Sequence, residues 1–279
     1  MQSFYNLNGK LLSSDTQSIH PDNRAFRYGE GLFETMRFTG DGIPLWAFHR
    51  ERLLQAFQLL GFTLPVFFSF EQLQKEISSL VQKNHHAPDA RIRLTVFRGD
   101  GGIWDQPKTD FQYLIQTWPL EKSSFNENGL DIELFPHGRK AVDLYSGLKS
   151  SNYLIYLSAA RFAKEKKVNE CLVLNQYGRI ADGTISNVFA VQEGVVITPP
   201  LSEAGVAGTM RRYLMEQLSH KGYRVIEKPL DEDDLLHSSE LFLSNAISGI
   251  RWVKSFGSKT YNCSMSARIF NEIIRPLFL

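Results

Sequence analysis

Lys149 lies in Gly147-Leu148-Lys149-Ser150-Ser151-Asn152-Tyr153, just ahead of a segment with helical spacing. Only lysine offers a side-chain amine that condenses with a carbonyl to a Schiff base. Such an amine works when burial or nearby positive charge leaves it partly unprotonated. Asp182 then opens Asp182-Gly183-Thr184-Ile185-Ser186-Asn187, an acid in a stretch that reads as strand. Gly208-Thr209-Met210-Arg211 stands at a predicted helix start, where the first N–H groups lack partners and attract anions. Leu243-Ser244-Asn245-Ala246 adds a second small polar loop. An amine for a carbonyl, a carboxylate for a ring nitrogen and a backbone cup for a phosphate suit one kind of ligand: a phosphorylated heterocyclic aldehyde that draws electrons from a bound amino compound.

In that order the four segments resemble the class IV aminotransferases, a family that includes branched-chain and D-amino acid aminotransferases and aminodeoxychorismate lyase. The likeness runs along nearly the whole chain. Arg24-Ala-Phe-Arg-Tyr-Gly-Glu-Gly-Leu-Phe-Glu-Thr-Met-Arg37 is similar to the family's Tyr-Gly-Asp-Gly-x-Phe-Glu, and His49-Arg50-Glu51-Arg52-Leu53 to its His-x-x-Arg-Leu. The resemblance implies pyridoxal 5'-phosphate as cofactor, Lys149 as the Schiff-base lysine and Asp182 facing the pyridine nitrogen. It implies Arg52 at the phosphate, with Ser186, Asn187, Gly208, Thr209, Met210, Asn245 and Ala246 completing the cofactor set. Tyr28, Phe33 and Arg37 fall where the family has substrate-pocket residues. The implied fold is α+β, the two-domain D-amino acid aminotransferase-like architecture with the cofactor in the interdomain cleft, assembled as a homodimer.

The departures matter chemically. The family has glutamate where this chain has Asp182, one methylene shorter, so contact with the ring nitrogen needs closer backbone or a bridging water. The phosphate loop reads Gly-Thr-Met-Arg instead of Gly-Ile-Thr-Arg, which moves the hydroxyl one place. Ser244-Asn245-Ala246 looks more like the lyase members than like Gly-Thr-Ala of the branched-chain enzymes. The leading expectation is amino transfer between an amino acid and a 2-oxo acid. The alternative is 4-amino-4-deoxychorismate lyase, releasing pyruvate and 4-aminobenzoate. A protein that holds the cofactor without turnover is the third reading, prompted by Asp182 and the altered loop.

A substrate carboxylate calls for arginine. Arg91 and Arg93 share one strand face, and Arg98 begins the glycine-rich Arg98-Gly-Asp-Gly-Gly102. Loops on a rigid scaffold commonly carry binding groups, which ranks Arg98 first and Arg37 and Arg93 behind it. Lys140 is the nearest rival to Lys149, without a helix start beside it. The histidines show no metal-ligand spacing.

These residues need elements to hold them. Asn8-Gly9 predicts a hairpin between Phe4–Leu7 and Lys10–Leu12. Strands are expected at 32–38, 90–98 and 111–118, helices at 48–60 and 70–83, and Gly40-Asp41-Gly42 as a turn. The polar run 119–129 reads as a linker, dividing residues 1–118 from a larger cofactor-binding domain at 130–279. There, strands at 130–135, 170–174, 184–191, 195–198, 224–228 and 241–243 alternate with helices at 151–166, 208–220, 231–236 and from 266.

Bulk properties bound the function. The 279 residues are 43% hydrophobic and 22% charged with net charge +1, so no strong field favours nucleic acid or an acidic membrane. No apolar run reaches bilayer length, and Met1–Asn6 lacks a basic and apolar leader pattern. Cys171 and Cys263 are isolated, as in a reducing compartment. The expectation is a cytoplasmic enzyme.

Overall fold

In the computed structural model, which describes residues 3–40, 42–107 and 110–278, the chain divides into two units. One comprises Met1–Lys122 with Lys149–Asn152, the other Ser123–Leu148 with Tyr153–Leu279. Asp41, part of the expected turn, lies outside the described residues.

Strands β1 (Phe4–Leu7) and β2 (Lys10–Ser13) form the hairpin that Asn8-Gly9 predicts, with φ of 52° and 82° at its two turn residues. Both left-handed residues match a type I′ turn. With β3 (Gly31–Phe38), β4 (Ala90–Phe97) and β5 (Gln112–Pro119) they make an antiparallel sheet in the order β2-β1-β5-β4-β3. Period-2 alternation sets its faces: Ile92, Leu94 and Val96 of β4 are buried, while Arg91, Arg93 and Thr95 remain at least partly exposed. Each such aliphatic side chain contributes roughly 1.5–3 kcal/mol. A short α1 (Arg24–Tyr28) precedes β3. Helix α2 (Trp46–Leu60) packs on β3, and α3 (Phe70–Lys83) on β1 and β5.

The second unit is one mixed sheet. Its strands are β6 (Leu130–Lys140), β7 (Glu170–Asn175), β8 (Ile180–Gly183), β9 (Asn187–Gln192), β10 (Val195–Thr198), β11 (Val225–Glu227), β12 (Glu240–Asn245), β13 (Gly249–Phe256) and β14 (Lys259–Thr260). Their order is β11-β10-β9-β12-β13-β6-β7-β8, with β14 on β13. Strand β7 is buried along its whole length because both faces are covered. Leu172 and Leu174 join a core with Val188, Ala190, Leu241, Leu243 and Val253. Cys171 and Val173 meet Tyr156, Ala159 and Ala163 of α4 (Leu154–Lys166). Helices α5 (Thr209–His220), α6 (Glu232–His237), α7 (Ser264–Ile269), a π-helical stretch Phe270–Ile274 and α8 (Arg275–Phe278) complete the unit.

Four differences from the sequence expectations bear on the site. Helix α4 starts at Leu154 and not at Ser151, because Ser151 is drawn into the first unit. The expected strand 184–191 begins only at Asn187, as β9, and Asp182 sits on a separate strand before it, β8. Buried Glu170 makes the break, accepting from the Ser186 hydroxyl and the Ile185 N–H and so closing a turn between β8 and β9. Strand β6 runs on to Lys140 through a register shift between Leu134 and Arg139. Strand β13 was not expected.

Gly249 lets β12 turn into β13. Its φ is 71°, and an added Cβ would stand 2.2 Å from Cγ2 of the buried Ile274. Gly249→Ala combines left-handed strain with overpacking and should cost about 2–4 kcal/mol. Gly178→Ala, with φ of 77° and open space around it, should cost only about 1 kcal/mol. Thermal melts of the two variants check this, and equal losses would count against the packing argument.

Candidate active site

In the first unit the sheet ends at β3, whose outer edge pairs with the chain around Lys149. Phe33 N–H donates to the Lys149 carbonyl at 2.9 Å, and Ser151 N–H to the Gly31 carbonyl at 2.8 Å. The glycines of Tyr28-Gly29-Glu30-Gly31 make this approach possible. A Cβ on Gly29 would lie 2.5 Å from Asn152 Oδ1, and one on Gly31 2.9 Å from Ser151 Oγ. Lys149 Nζ stands 4.5 Å from the Phe33 ring centroid, and the Arg93 guanidinium 3.8 Å from the same centroid. Phe33, Arg93 and Lys149, three of the expected site residues, thus gather at one ring.

The opposite face of β3 carries Glu34 into α2, where His49 and Arg52 lie one helical turn apart. Glu34 Oε1 accepts from Arg52 Nε at 2.7 Å, and Oε2 from His49 Nδ1 at 2.6 Å and from Arg52 Nη2. Burial alone raises the Glu34 carboxyl, but Arg52 and His49 outweigh it and hold it down to about 2. Burial pushes His49 below its usual range, Glu34 opposes this, and the Arg52 and Lys149 charges add to it. The His-x-x-Arg spacing was visible in the sequence, but its partner Glu34 was not.

Other expected residues are engaged by neighbours within the first unit. Arg98 donates to Asp110 Oδ1 at 2.7 Å, to Glu30, and to the Leu60 and Gly61 carbonyls at 2.9 and 2.7 Å. It therefore caps the C-terminus of α2, a place that favours a cation. Arg37 is buried on Asp89 Oδ1 at 3.0 Å and the Glu121 carbonyl at 2.7 Å. Tyr28 is flanked by Arg24 and Arg27, 5.8 and 5.2 Å from its ring.

In the second unit Asp182 is 2% exposed. Its Oδ2 accepts from Tyr156 Oη at 2.8 Å, from the Val206 N–H at 2.9 Å and from Lys140 Nζ at 3.4 Å. Its Oδ1 is buried with no hydrogen bond. Burial pushes this carboxyl up, against the pull of Lys140, the Val206 N–H and Tyr156. Asn187 Nδ2 donates to the Val206 carbonyl at 2.8 Å, and a Cβ on Gly208 would fall 1.9 Å from Asn187 Oδ1. Asn187 and Gly208 together seat the loop that leads into α5, where Thr209 and Met210 are buried in the first turn. The Ser186 hydroxyl is engaged by Glu170. Asn245 Oδ1 accepts from the N–H groups of Ile247 and Ser248 at 3.0 and 2.8 Å, fixing the turn through Ala246. Beside it, the Ser244 hydroxyl is buried without a hydrogen bond. A buried polar atom without a partner costs about 1–3 kcal/mol. Asp182 Oδ1 is therefore suited to a donor, and Ser244 Oγ to a polar partner of its own.

The Glu34 cluster makes a pH test. Since the folded carboxyl titrates near 2 against an ordinary 4.5, its stabilisation is on the order of 3 kcal/mol. The sign follows from the depressed value: the contribution is full above about 4.5 and disappears as pH falls through about 2. Glu34→Gln should be less stable than the parent by that amount at pH 7 in denaturant titrations, with the gap shrinking below about pH 4.5. A gap that stays constant with pH would place the effect in packing instead of charge.

Among the described residues no helix is long and apolar enough to cross a membrane, and no group of three or more residues could hold a metal ion. A putative branched-chain-amino-acid aminotransferase of Methanocaldococcus jannaschii is 28% identical over 96% of this chain and 92% of its own length. An aminodeoxychorismate lyase of Vibrio harveyi is 25% identical over 82% of this chain and 83% of its own. The solved structure of a hypothetical aminotransferase from Mycobacterium tuberculosis, in a pyridoxal-phosphate-bound form, superposes with a TM-score of 0.84 at 19% identity, over 99% of each chain, which shows the shared fold. The family model for amino-transferase class IV matches residues 31–256, and the chain belongs to that family.

Proposed function

We propose that this chain is a pyridoxal-phosphate-dependent aminotransferase that moves an amino group between an amino acid and a 2-oxo acid, with Lys149 holding the cofactor. When bound, pyridoxal phosphate supplies a ring that takes up the electron pair left as the substrate Cα loses its proton. The observation that carries the reading is Asp182, a buried carboxylate with one oxygen held by three donors and the other without a partner. That arrangement fits a ring N–H, and a proton kept on the ring nitrogen is what the chemistry needs.

The remaining roles follow from position. The N–H groups of Gly208, Thr209 and Met210 open α5 and suit a phosphate, with the helix dipole behind them. The Ser244 hydroxyl and the turn at Asn245 and Ala246 offer a second anion support. Arg52, oriented by Glu34, brings a guanidinium to the phosphate. Ser186 and Asn187 act by holding loops, through Glu170 and Val206. The Lys149 amine takes the Cα proton as general base. Arg93, over the ring that Lys149 also faces, binds the substrate carboxylate, and Tyr28 and Phe33 shape the pocket. Arg98 and Arg37 serve as structural ties, which reverses the ranking expected from sequence. We place the enzyme in the cytoplasm as a homodimer, since both cysteines are free and Leu154 and Leu157 on α4 expose apolar surface for a second copy.

Lyase chemistry is the second reading, favoured by Ser244-Asn245-Ala246. A substrate screen followed in the cofactor absorption band separates the two. Conversion to the pyridoxamine form with release of the donor's own 2-oxo acid supports amino transfer, and release of pyruvate with 4-aminobenzoate from aminodeoxychorismate supports the lyase.

Borohydride reduction of the loaded protein and peptide mapping should place the label on Lys149. Label on Lys140 instead would overturn the assignment.

Arg93→Ala should raise KM for the amino acid about ten- to a hundredfold, the range for losing a charge-assisted hydrogen bond of roughly 1.5–3 kcal/mol. Arg98→Ala should lower thermal stability with KM near the parent value. The opposite pattern would return Arg98 to the substrate.

A further inference from the structure

We propose that Lys140, acting with Tyr156, is a positioning residue that fixes the Asp182 carboxylate and keeps the shared proton on the cofactor's ring nitrogen. The inference rests on the proposed role of Asp182.

The geometry is directional. Lys140 is 9% exposed and lies at the end of β6, beyond the register shift, where its carbonyl accepts from Gln176 N–H at 2.9 Å. Its ammonium has three protons and meets three acceptors: the Ser146 carbonyl at 3.3 Å, Asp182 Oδ2 at 3.4 Å, and the Tyr156 hydroxyl. Tyr156 passes the polarity on, accepting from Lys140 and donating to Asp182 Oδ2 at 2.8 Å. Tyr156 is itself fixed by Tyr153, whose ring centroid lies 4.4 Å away. All the donors converge on Oδ2. The side-chain torsions of Asp182 are thereby set, and Oδ1 points in one fixed direction.

Charge supplies the second part. The groups facing Asp182 are Lys140 from β6, Tyr156 from α4 and the Val206 N–H from the loop before α5. Lys140 is the only full charge among them. A proton placed between Oδ1 and a ring nitrogen chooses the more basic atom. A cation 3.4 Å from Oδ2 lies nearer the carboxylate than any group approaching Oδ1, so it lowers the carboxylate's proton affinity more than the ring's. The proton therefore stays on the ring nitrogen. Without Lys140, burial raises the carboxyl unopposed by a charge, and the proton moves toward Asp182. The lysine that rivalled Lys149 in the sequence thus has a different task. With all three donors engaged, its nitrogen is not presented to a carbonyl.

The test reads the ring nitrogen directly. Protein loaded with pyridoxal phosphate labelled with ¹⁵N in the ring should show a protonated pyridine resonance. Lys140→Met should move it downfield toward the neutral value, Lys140→Arg should restore it, and Asp182→Asn should move it furthest. Circular dichroism checks folding, and if Lys140→Met does not fold, Lys140→Gln, which keeps a donor without the charge, should show the same downfield move. If Asp182→Asn shifts the resonance while neutral replacements of Lys140 leave it at the parent position, the Lys140 proposal is wrong and the reading of Asp182 stands. If Asp182→Asn leaves it unmoved, the reading of Asp182 fails and takes this proposal with it.

Discussion

Burying a carboxylate is costly unless each oxygen is hydrogen-bonded, and among the described residues this fold faces that constraint at five carboxylates. Glu34, Glu170, Asp182, Glu203 and Glu240 are each no more than 4% exposed. Glu34 is closed by Arg52 and His49, and Glu170 by Arg251, Ser186 and the Ile185 N–H. Glu203 is closed by Arg179 and Asn175, and Glu240 by the N–H groups of Met265 and Ser266 and the Ser266 hydroxyl. Four of the five have both oxygens occupied and act as rivets between elements distant in sequence. Only Asp182 keeps an oxygen without a partner. The same physics that makes the other four structural leaves this one with an oxygen open to a donor.

A second constraint acts through glycine. The segment Lys149–Asn152 closes against β3 only because Gly29 and Gly31 present no side chain to Asn152 and Ser151. On the other unit, Gly205 and Gly208 let the loop before α5 approach β8 and Asn187, where added Cβ atoms would stand 2.7 Å from the Ala181 carbonyl and 1.9 Å from Asn187 Oδ1. These glycines select which backbone comes near which side chain. That explains why the glycines of Tyr-Gly-Glu-Gly and Gly-Thr-Met-Arg are informative although they carry no side chain.

Much of the fold was legible because it is local. The Asn8-Gly9 turn, the alternation of β4 and the apolar spacing of α2 and α3 each need only a few neighbouring residues. What escaped depends on distant partners. Asp182 was expected on a strand, but the break after it comes from Glu170. Arg98 looked like a loop arginine poised for a ligand, and nothing nearby revealed that the end of α2 and Asp110 would claim it. Arg93 looked like an ordinary strand arginine until its ring partner and Lys149 were seen together. A single sequence shows a residue's chemistry but not which of its capacities the fold has already used.

That distinction bears on Asp182, an aspartate where the resemblance to the family implies glutamate. A shorter side chain must be met by closer surroundings, and the surroundings here are close. Gly205 permits the loop to lie against β8, which brings the Val206 N–H to 2.9 Å from Oδ2. The extended β6 brings Lys140, and α4 brings Tyr156, to the same oxygen. Three elements therefore converge on a carboxylate that has only two side-chain torsions to fix. Losing a methylene also removes a torsion, so aspartate held this way is stiffer than glutamate in the same place. What is given up in reach is recovered as preorganisation, the property that the role proposed for Asp182 requires.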